Sequence, residues 1–345
     1  MKKRVLSIVL AISMIFGCSA LSVTASDDTY ETYKSDGYEY EILNNGNIQI
    51  IDYYGSDRDA VIPSEIDGRK VTSIGEFAFS SLTWSNKLLS VVIPDTVTSI
   101  KMAAFFCCAS LQSVTIPYGV KTIGICAFFG CESLNEITIP KSVYSIGADA
   151  FLDTALYNDE SNWEDNVLYI GCNLISGSRF KLDKSTGDFK VAAKVKGDYV
   201  VKHGTRLIAS EAFLECILLD NITIPASVTS MGSHCVGFHY SEKADKYIIN
   251  SDCIIHCYEN TVAQSYANKN WIRRELIEGT FGDANCDDNI DLLDVLQVRK
   301  YIAKQPVETD YDLSDVNCDG AVDMLDVLLV RKYIAKQPVT LGPQA

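Results

Sequence analysis

Leu111-Gln-Ser-Val-Thr-Ile-Pro117, followed by Val120, Ile123-Gly124 and Ala127-Phe128, carries the reading of most of this 345-residue chain. Val114 and Ile116 alternate with Thr115, which specifies a short strand with one buried face. Pro117 ends that strand, since proline has no N–H to give a ladder. Val120 and Ile123 then return to the core, Gly124 is expected to make the turn, and Ala127-Phe128 close the coil.

The same marks recur every 23 residues: Ile93-Pro94, Ile116-Pro117 and Ile139-Pro140, with Ala104-Phe105, Ala127-Phe128 and Ala150-Phe151 in phase. Earlier and later copies lie at Ile62-Pro63, Ala78-Phe79, Ala212-Phe213 and Ile224-Pro225, with insertions around Trp84 and across 152–206. A period in the twenties signals a solenoid. One coil cannot bury its own apolar face, whereas stacked coils bury each other's. Tyr38–Asp52 is expected to cap the start as a hairpin around Asn45-Gly46, and Thr261–Asn270 to cap the end as a short amphipathic helix; residues 26–35 read as a leader without structure. The motif resembles the BspA-like leucine-rich repeat of bacterial surface and secreted proteins over roughly 60–275, a resemblance that implies the fold and says little about the ligand.

Near the C-terminus two segments share one spacing of oxygen-bearing side chains, D-x-N-x-D-x-x-x-D-x-x-D. A Ca²⁺ ion takes six to eight oxygens, and a twelve-residue loop supplies them from positions 1, 3, 5, 9 and 12 and from the carbonyl of position 7. The first loop offers Asp283, Asn285, Asp287, Asp291 and Asp294 with the Asn289 carbonyl. The second offers Asp315, Asn317, Asp319, Asp323 and Asp326 with the Ala321 carbonyl. Position 6, where such loops favour glycine, is Gly320 in the second and Asp288 in the first, so the first loop is expected to be the more strained. Each loop runs into the same helical pattern closed by proline, Val295–Pro306 and Val327–Pro338; Val295, Val298 and Ile302 share one face, and no helix of matching periodicity precedes either loop.

These duplicated loop-plus-helix units resemble the type I-like dockerin, the module that attaches proteins to a cohesin-bearing scaffold in cellulosomes. The resemblance implies two structural Ca²⁺ ions and a cohesin partner. It also implies a partner face made by Leu292, Leu293, Arg299, Lys300 and Lys304 in the first unit and Met324, Leu325, Arg331, Lys332 and Lys336 in the second. The Leu-Leu and Met-Leu pairs depart from the Ser-Thr pair of the best-known dockerins and admit two readings, intramolecular core or partner contact. Because the halves are so alike, either could present the same surface after a half-turn of the module.

Met1-Lys-Lys-Arg4 and the apolar run Val5–Phe16, with Val23-Thr-Ala25 before Ser26, read as a signal peptide. Export is therefore expected, and no second apolar run is long enough to span a membrane. Loss of Lys2, Lys3 and Arg4 would take the net charge from −15 to −18, which argues against nucleic acid and anionic membranes as partners. Twelve cysteines would suggest disulfides in an exported chain, yet Cys108, Cys131 and Cys216 sit at repeat-locked positions and read as small buried apolar residues. Cys253-Ile-Ile-His-Cys257 has soft metal ligands but no second pair, and reads as core rather than zinc. The sequence contains no recognisable catalytic constellation; Asp149, Asp153, Glu160, Glu164 and Asp165 are scattered acids that sequence alone cannot pair. The strand face, with Leu89 and Ser90, Gln112 and Ser113, Asn135 and Glu136, Asp220 and Asn221, and with Val92, Thr115, Thr138 and Thr223, reads as a polar ladder without an aromatic stripe, suited to a protein ligand more than to a polysaccharide.

The expected organisation is thus a signal peptide (1–25), a leader and cap (26–59), a mainly β leucine-rich-repeat solenoid with its C-terminal cap (60–278), a linker (279–282) and a small α-helical, EF-hand-like calcium-binding dockerin module (283–345). The expected function is a secreted, non-catalytic binding or adhesion component of a cellulosome-like complex taking part in polysaccharide degradation. The alternative is an unrecognised carbohydrate-active enzyme of the glycoside hydrolase class that carries a dockerin.

Overall fold

The computed structural model describes residues 31–80, 88–183, 185–186, 188–241 and 243–343. The expected signal peptide and the insertion at Trp84 lie outside the described residues.

The repeat body is a stack of coils with two parallel ladders. One joins Asp59–Val61, Ser90–Val92, Ser113–Thr115 and Glu136–Thr138, with Val91 opposite Val114 and Val114 opposite Ile137. The other joins Arg69–Ile74, Ser99–Ile100, Thr122–Ile123 and Ser145–Ile146. Sequence periodicity exposed the first strand of each coil; the second is only two residues long in most coils, too short to show alternation. Between the two, Val97, Val120, Val143 and Val228 each donate N–H to the carbonyl of the proline three residues earlier, at 3.0–3.2 Å. The Ile-Pro-x-x-Val pattern is therefore a turn closed on its own proline.

The interior is a pile of rings. Phe79, Phe105, Phe128 and Phe151 stack at centroid separations of 5.0, 5.2 and 5.6 Å, and Phe106 lies 5.0 Å from Phe129. The repeat-locked cysteines join this core: Cys108 donates to the Phe79 carbonyl at 3.0 Å and Cys131 to the Phe105 carbonyl at 3.2 Å, each reaching the preceding coil. All eleven cysteines among the described residues are free.

The turn was expected at Gly124, and the structure places it two residues later. Gly124 is instead the site of close approach, where a Cβ would lie 2.5 Å from the backbone of Lys101 and Met102. One left-handed position per coil falls at Phe77, Ala103, Cys126, Asp149, Glu211 and His234, at φ between 51° and 59°, and a second lies four residues on at Cys107, Gly130, Asp153 and Glu215, at φ between 56° and 70°. A non-glycine residue there costs roughly 1–2 kcal/mol. Each coil accepts that cost because neighbouring coils hold the backbone: Ala103, Cys126 and Glu211 donate N–H to the next coil's carbonyl at Ile125, Ala148 and Ser233.

Tyr38–Ile42 and Ile48–Tyr53 form the expected capping hairpin. Thr32–Ser35, read as unstructured leader, adds an outer strand to it, with Tyr33 stacked on Tyr40 at 5.6 Å. Within 152–206, Ser178–Asp183 and Asp188–Lys194 form an antiparallel hairpin, while Asn173–Ser176 and Gly197–Val200 open two further parallel ladders, with Leu207–Ile208 and with Leu219–Ile224. The capping helix runs Val262–Asn270, with Thr261 as its N-cap, and a further strand, Arg273–Leu276, pairs with Ile254–Cys257.

Candidate calcium loops and partner face

Helices Leu292–Ile302 and Met324–Ile334 begin in the same way, with Asp291 or Asp323 as N-cap and Asp294 or Asp326 closing a capping box. One carboxylate thus serves both loop and helix: Asp294 accepts the N–H of Asn285 at 3.2 Å and of Asp291 at 2.8 Å, and Asp326 those of Val316 at 3.0 Å and Asp323 at 2.8 Å. At the loop start, Asp283 accepts from Asp287 and Asp288 at 3.0 and 2.9 Å, and Asp315 from Asp319 and Gly320 at 3.1 and 2.8 Å. Val295, Val298, Val327 and Val330 pack with Ala284 and Val316 beneath the loops.

Position 6 is left-handed in both loops, at φ 66° for Asp288 and 89° for Gly320, so the first loop does carry a Cβ where glycine is favoured. Position 4, Cys286 and Cys318, is left-handed as well, which the spacing alone did not show. A short helix, Tyr311–Ser314, precedes the second loop where the sequence reading expected none; four residues are too few for a periodic signal.

Asp294 and Asp326 are fully buried, and Asp283 and Asp315 nearly so. Among the described residues none of the four has a Lys or Arg counter-ion. Burial, the largest cause, raises the pKa of Asp294 and Asp326, and pushes Asp315 up to about 7 against the opposing N–H bond from Gly320. Carboxylates taken from water without a counter-charge are what a bound cation offsets, so the donor set fits a hard, oxygen-preferring ion. As the side chains stand, no three His, Cys, Asp or Glu residues among those described form a closed metal-holding group. Each carboxylate has further lone pairs beyond those given to loop N–H groups.

Leu292 and Met324 are 65% and 58% exposed, and Leu293 and Leu325 are open too, which separates them from the core. Leu296 and Leu328 extend the same exposed stripe, a pair the sequence reading missed although i, i+4 spacing from Leu292 and Met324 would have found it. Arg299, Lys304, Arg331 and Lys336 are exposed, and Lys300 and Lys332 partly so.

On the body, the strand-face ladder is exposed as expected, with Gln112, Ser113, Thr115, Asn135, Glu136 and Thr138 facing solvent. Further along, Asn221 donates to Asp198 at 2.6 Å and meets His256 at 3.1 Å. Alternation turns Cys253 and Cys257 inward and His256 outward, so these residues cannot converge on one zinc ion. Of the scattered acids, Asp149 feels the charge of Glu211, an acid outside that set to which Tyr247 donates at 2.5 Å. Asp149 keeps an open edge, but the surrounding protein crowds its carboxyl and, with the Glu211 charge second, pushes its pKa up to about 7. Glu164, by contrast, pairs with Lys202, and Glu160 with Lys181.

Comparison with known proteins decides the family. The chain matches the BspA type Leucine rich repeat region, in six copies, over residues 61–181 and 198–277. It belongs to the BspA-type leucine-rich-repeat family. Residues 281–335 of this leucine-rich-repeat protein match the Dockerin type I domain. Among solved structures it is similar to a leucine-rich repeat protein from Bacteroides capillosus, with 30% identity over 37% of this chain and 95% of that one and a TM-score of 0.34. It is also similar to the leucine-rich repeat protein of T. pallidum, with 22% identity, 59% and 82% coverage and a TM-score of 0.35. A leucine-rich cell surface protein from Faecalibacterium prausnitzii shows 23% identity, 60% and 74% coverage and a TM-score of 0.32. No curated protein matches the chain. Type I dockerins are calcium-binding, cohesin-binding modules, so this leucine-rich-repeat protein is a cellulosome-type protein-interaction component. No helix among the described residues is long and apolar enough to cross a membrane.

Proposed function

We propose that the chain is exported by its N-terminal segment and works as a non-catalytic binding component of a polysaccharide-degrading assembly. In this reading residues 60–278 bind a ligand, 279–282 join the parts, and 283–345 attach the whole to a cohesin. The twelve loop residues from Asp283 to Asp294 and Asp315 to Asp326 that carry the spaced oxygens hold two Ca²⁺ ions. The supporting observation is the duplicated exposed stripe, Leu292, Leu293 and Leu296 matched by Met324, Leu325 and Leu328, each beside an Arg-Lys pair. Apolar side chains rimmed by cations suit a protein partner with an apolar centre and acidic edge.

The test replaces Leu292, Leu293, Arg299 and Lys300 by Ala, then Met324, Leu325, Arg331 and Lys332, then all eight, and titrates each chain against an immobilised type I cohesin. Either single set should leave binding within a few-fold, and the combined set should abolish it. Unchanged binding by the combined set would remove the stripe from the reading.

For the body we favour a protein ligand over a polysaccharide, because its strand face, polar apart from the exposed Val61, Val92 and Val200, is free of Phe, Tyr and Trp among the described residues. The enzyme alternative rests on Asp149 and Glu211 alone. Incubating the chain and Glu211→Gln with plant cell-wall polysaccharides decides it: no reducing sugar from either supports the binding reading, and release that Glu211→Gln stops establishes a hydrolase.

A further inference from the structure

The two calcium loops are near-copies in sequence but differ in what surrounds them. At position 4, Cys286 is exposed while Cys318 is 8% exposed. Cys318 lies in a cluster with Ala226 and Tyr258 of the body and Leu313, against which Ile277 and Phe281 pack. At position 6, Gly320 meets Gly204 of the body backbone to backbone: a Cβ on Gly204 would lie 2.7 Å from the Gly320 carbonyl oxygen, and one on Gly320 3.0 Å from the Gly204 Cα. Both glycines are left-handed, at φ 77° and 89°. Beside them, His203 meets Asp312 at 3.1 Å and its ring lies 4.9 Å from that of Tyr311, whose hydroxyl donates to the Gly320 carbonyl at 3.1 Å.

Gly320 is also the residue whose N–H holds Asp315, the first ligand of the second loop. The contacts therefore run from the solenoid through Gly204 and Tyr311 to Gly320 and on to a ligand carboxylate. A loop already held in its turn has less chain entropy to lose when it closes on an ion, and metal binding by such modules is coupled to ordering. By linkage, whatever the body adds to calcium affinity, calcium returns as adhesion between module and body.

We propose that the repeat body is a support for the second calcium loop: body contact and calcium at that loop strengthen each other, and the first loop lies outside this coupling. The proposal rests on the reading of both loops as calcium sites. It makes the two halves of the module unequal despite their sequences, and it fixes the loaded module at one place on the solenoid.

The experiment isolates each loop in the intact chain. Asp283→Ala with Asp294→Ala leaves only the second loop; Asp315→Ala with Asp326→Ala leaves only the first. Each background is titrated with CaCl₂ by calorimetry, alone, with Gly204→Leu, and with His203→Ala, the milder change that keeps the test open if Gly204→Leu disturbs the solenoid. Gly204→Leu should weaken calcium at the isolated second loop by about tenfold and His203→Ala by a few-fold, within the range of ordinary couplings, while the isolated first loop moves less than twofold. Equal weakening of both loops, or no weakening of the second by either variant, overturns the coupling. Absence of calcium binding in both backgrounds overturns instead the calcium reading on which it rests.

Discussion

The repeat body and the C-terminal module solve the same problem with opposite materials. The body buries Phe79, Phe105, Phe128 and Phe151 as a continuous stack, and even its cysteines are spent on core contacts between coils. The module has a small valine core and buries five carboxylates, Asp312 against His203 and the four loop aspartates without a lysine or arginine among the described residues to offset them. A solenoid adds stability with every coil, whereas about sixty residues bury too little apolar surface to stand alone with ease. The difference teaches where each part is vulnerable: the body to a hole in its stack, the module to loss of a cation.

The largest effect should come from removing calcium. Chelation is expected to abolish the helical circular dichroism of the module and open it to protease after residue 282, while the body stays folded and loses only the small stabilisation it shares with the second loop. Helicity retained in chelator would mean the module stands on its valine core and would erase the contrast. Next in size is Phe128→Ala, which opens a cavity between two stacked rings and should cost about 3–5 kcal/mol in denaturant unfolding of the body, leaving cohesin binding unchanged. A cost under about 1 kcal/mol would show the stack to be a by-product of the repeat rather than its support.

The smallest expected effect concerns the one acid of the body whose pKa is raised far. Asp149 is held at about 7 in the folded chain, above the ordinary aspartate value near 4, so the folded state binds more protons than the unfolded between those two values. Stability of the body should therefore fall as pH rises from about 4 to 7. Asp149→Asn should flatten that slope in urea titrations at pH 5 and pH 7. An unchanged slope would mean that the open edge of Asp149 lets water relieve its crowding.

Much of this was legible in the residues because the repeats print the same signal many times. Ile-Pro, Ile-Gly and Ala-Phe at a spacing of 23 residues report burial and close approach, and both depend on side-chain size. The left-handed position just before Ala-Phe was invisible because Ala103, Cys126, Asp149 and Glu211 have nothing in common but their place in the coil. The strand Thr32–Ser35 and the helix Tyr311–Ser314 are too short for periodicity and exist through their neighbours. In the loops the oxygen spacing named the donors, and it could not distinguish Cys286 from Cys318, since what buries the second includes Ala226 and Tyr258 of the body, far from it in the chain.

The most direct measurement is binding of the intact chain to a panel of type I cohesins, by surface plasmon resonance in calcium and again in chelator. The account predicts tight binding to at least one cohesin in calcium and none in chelator. No binding to any of them, or binding that survives the chelator, would contradict it.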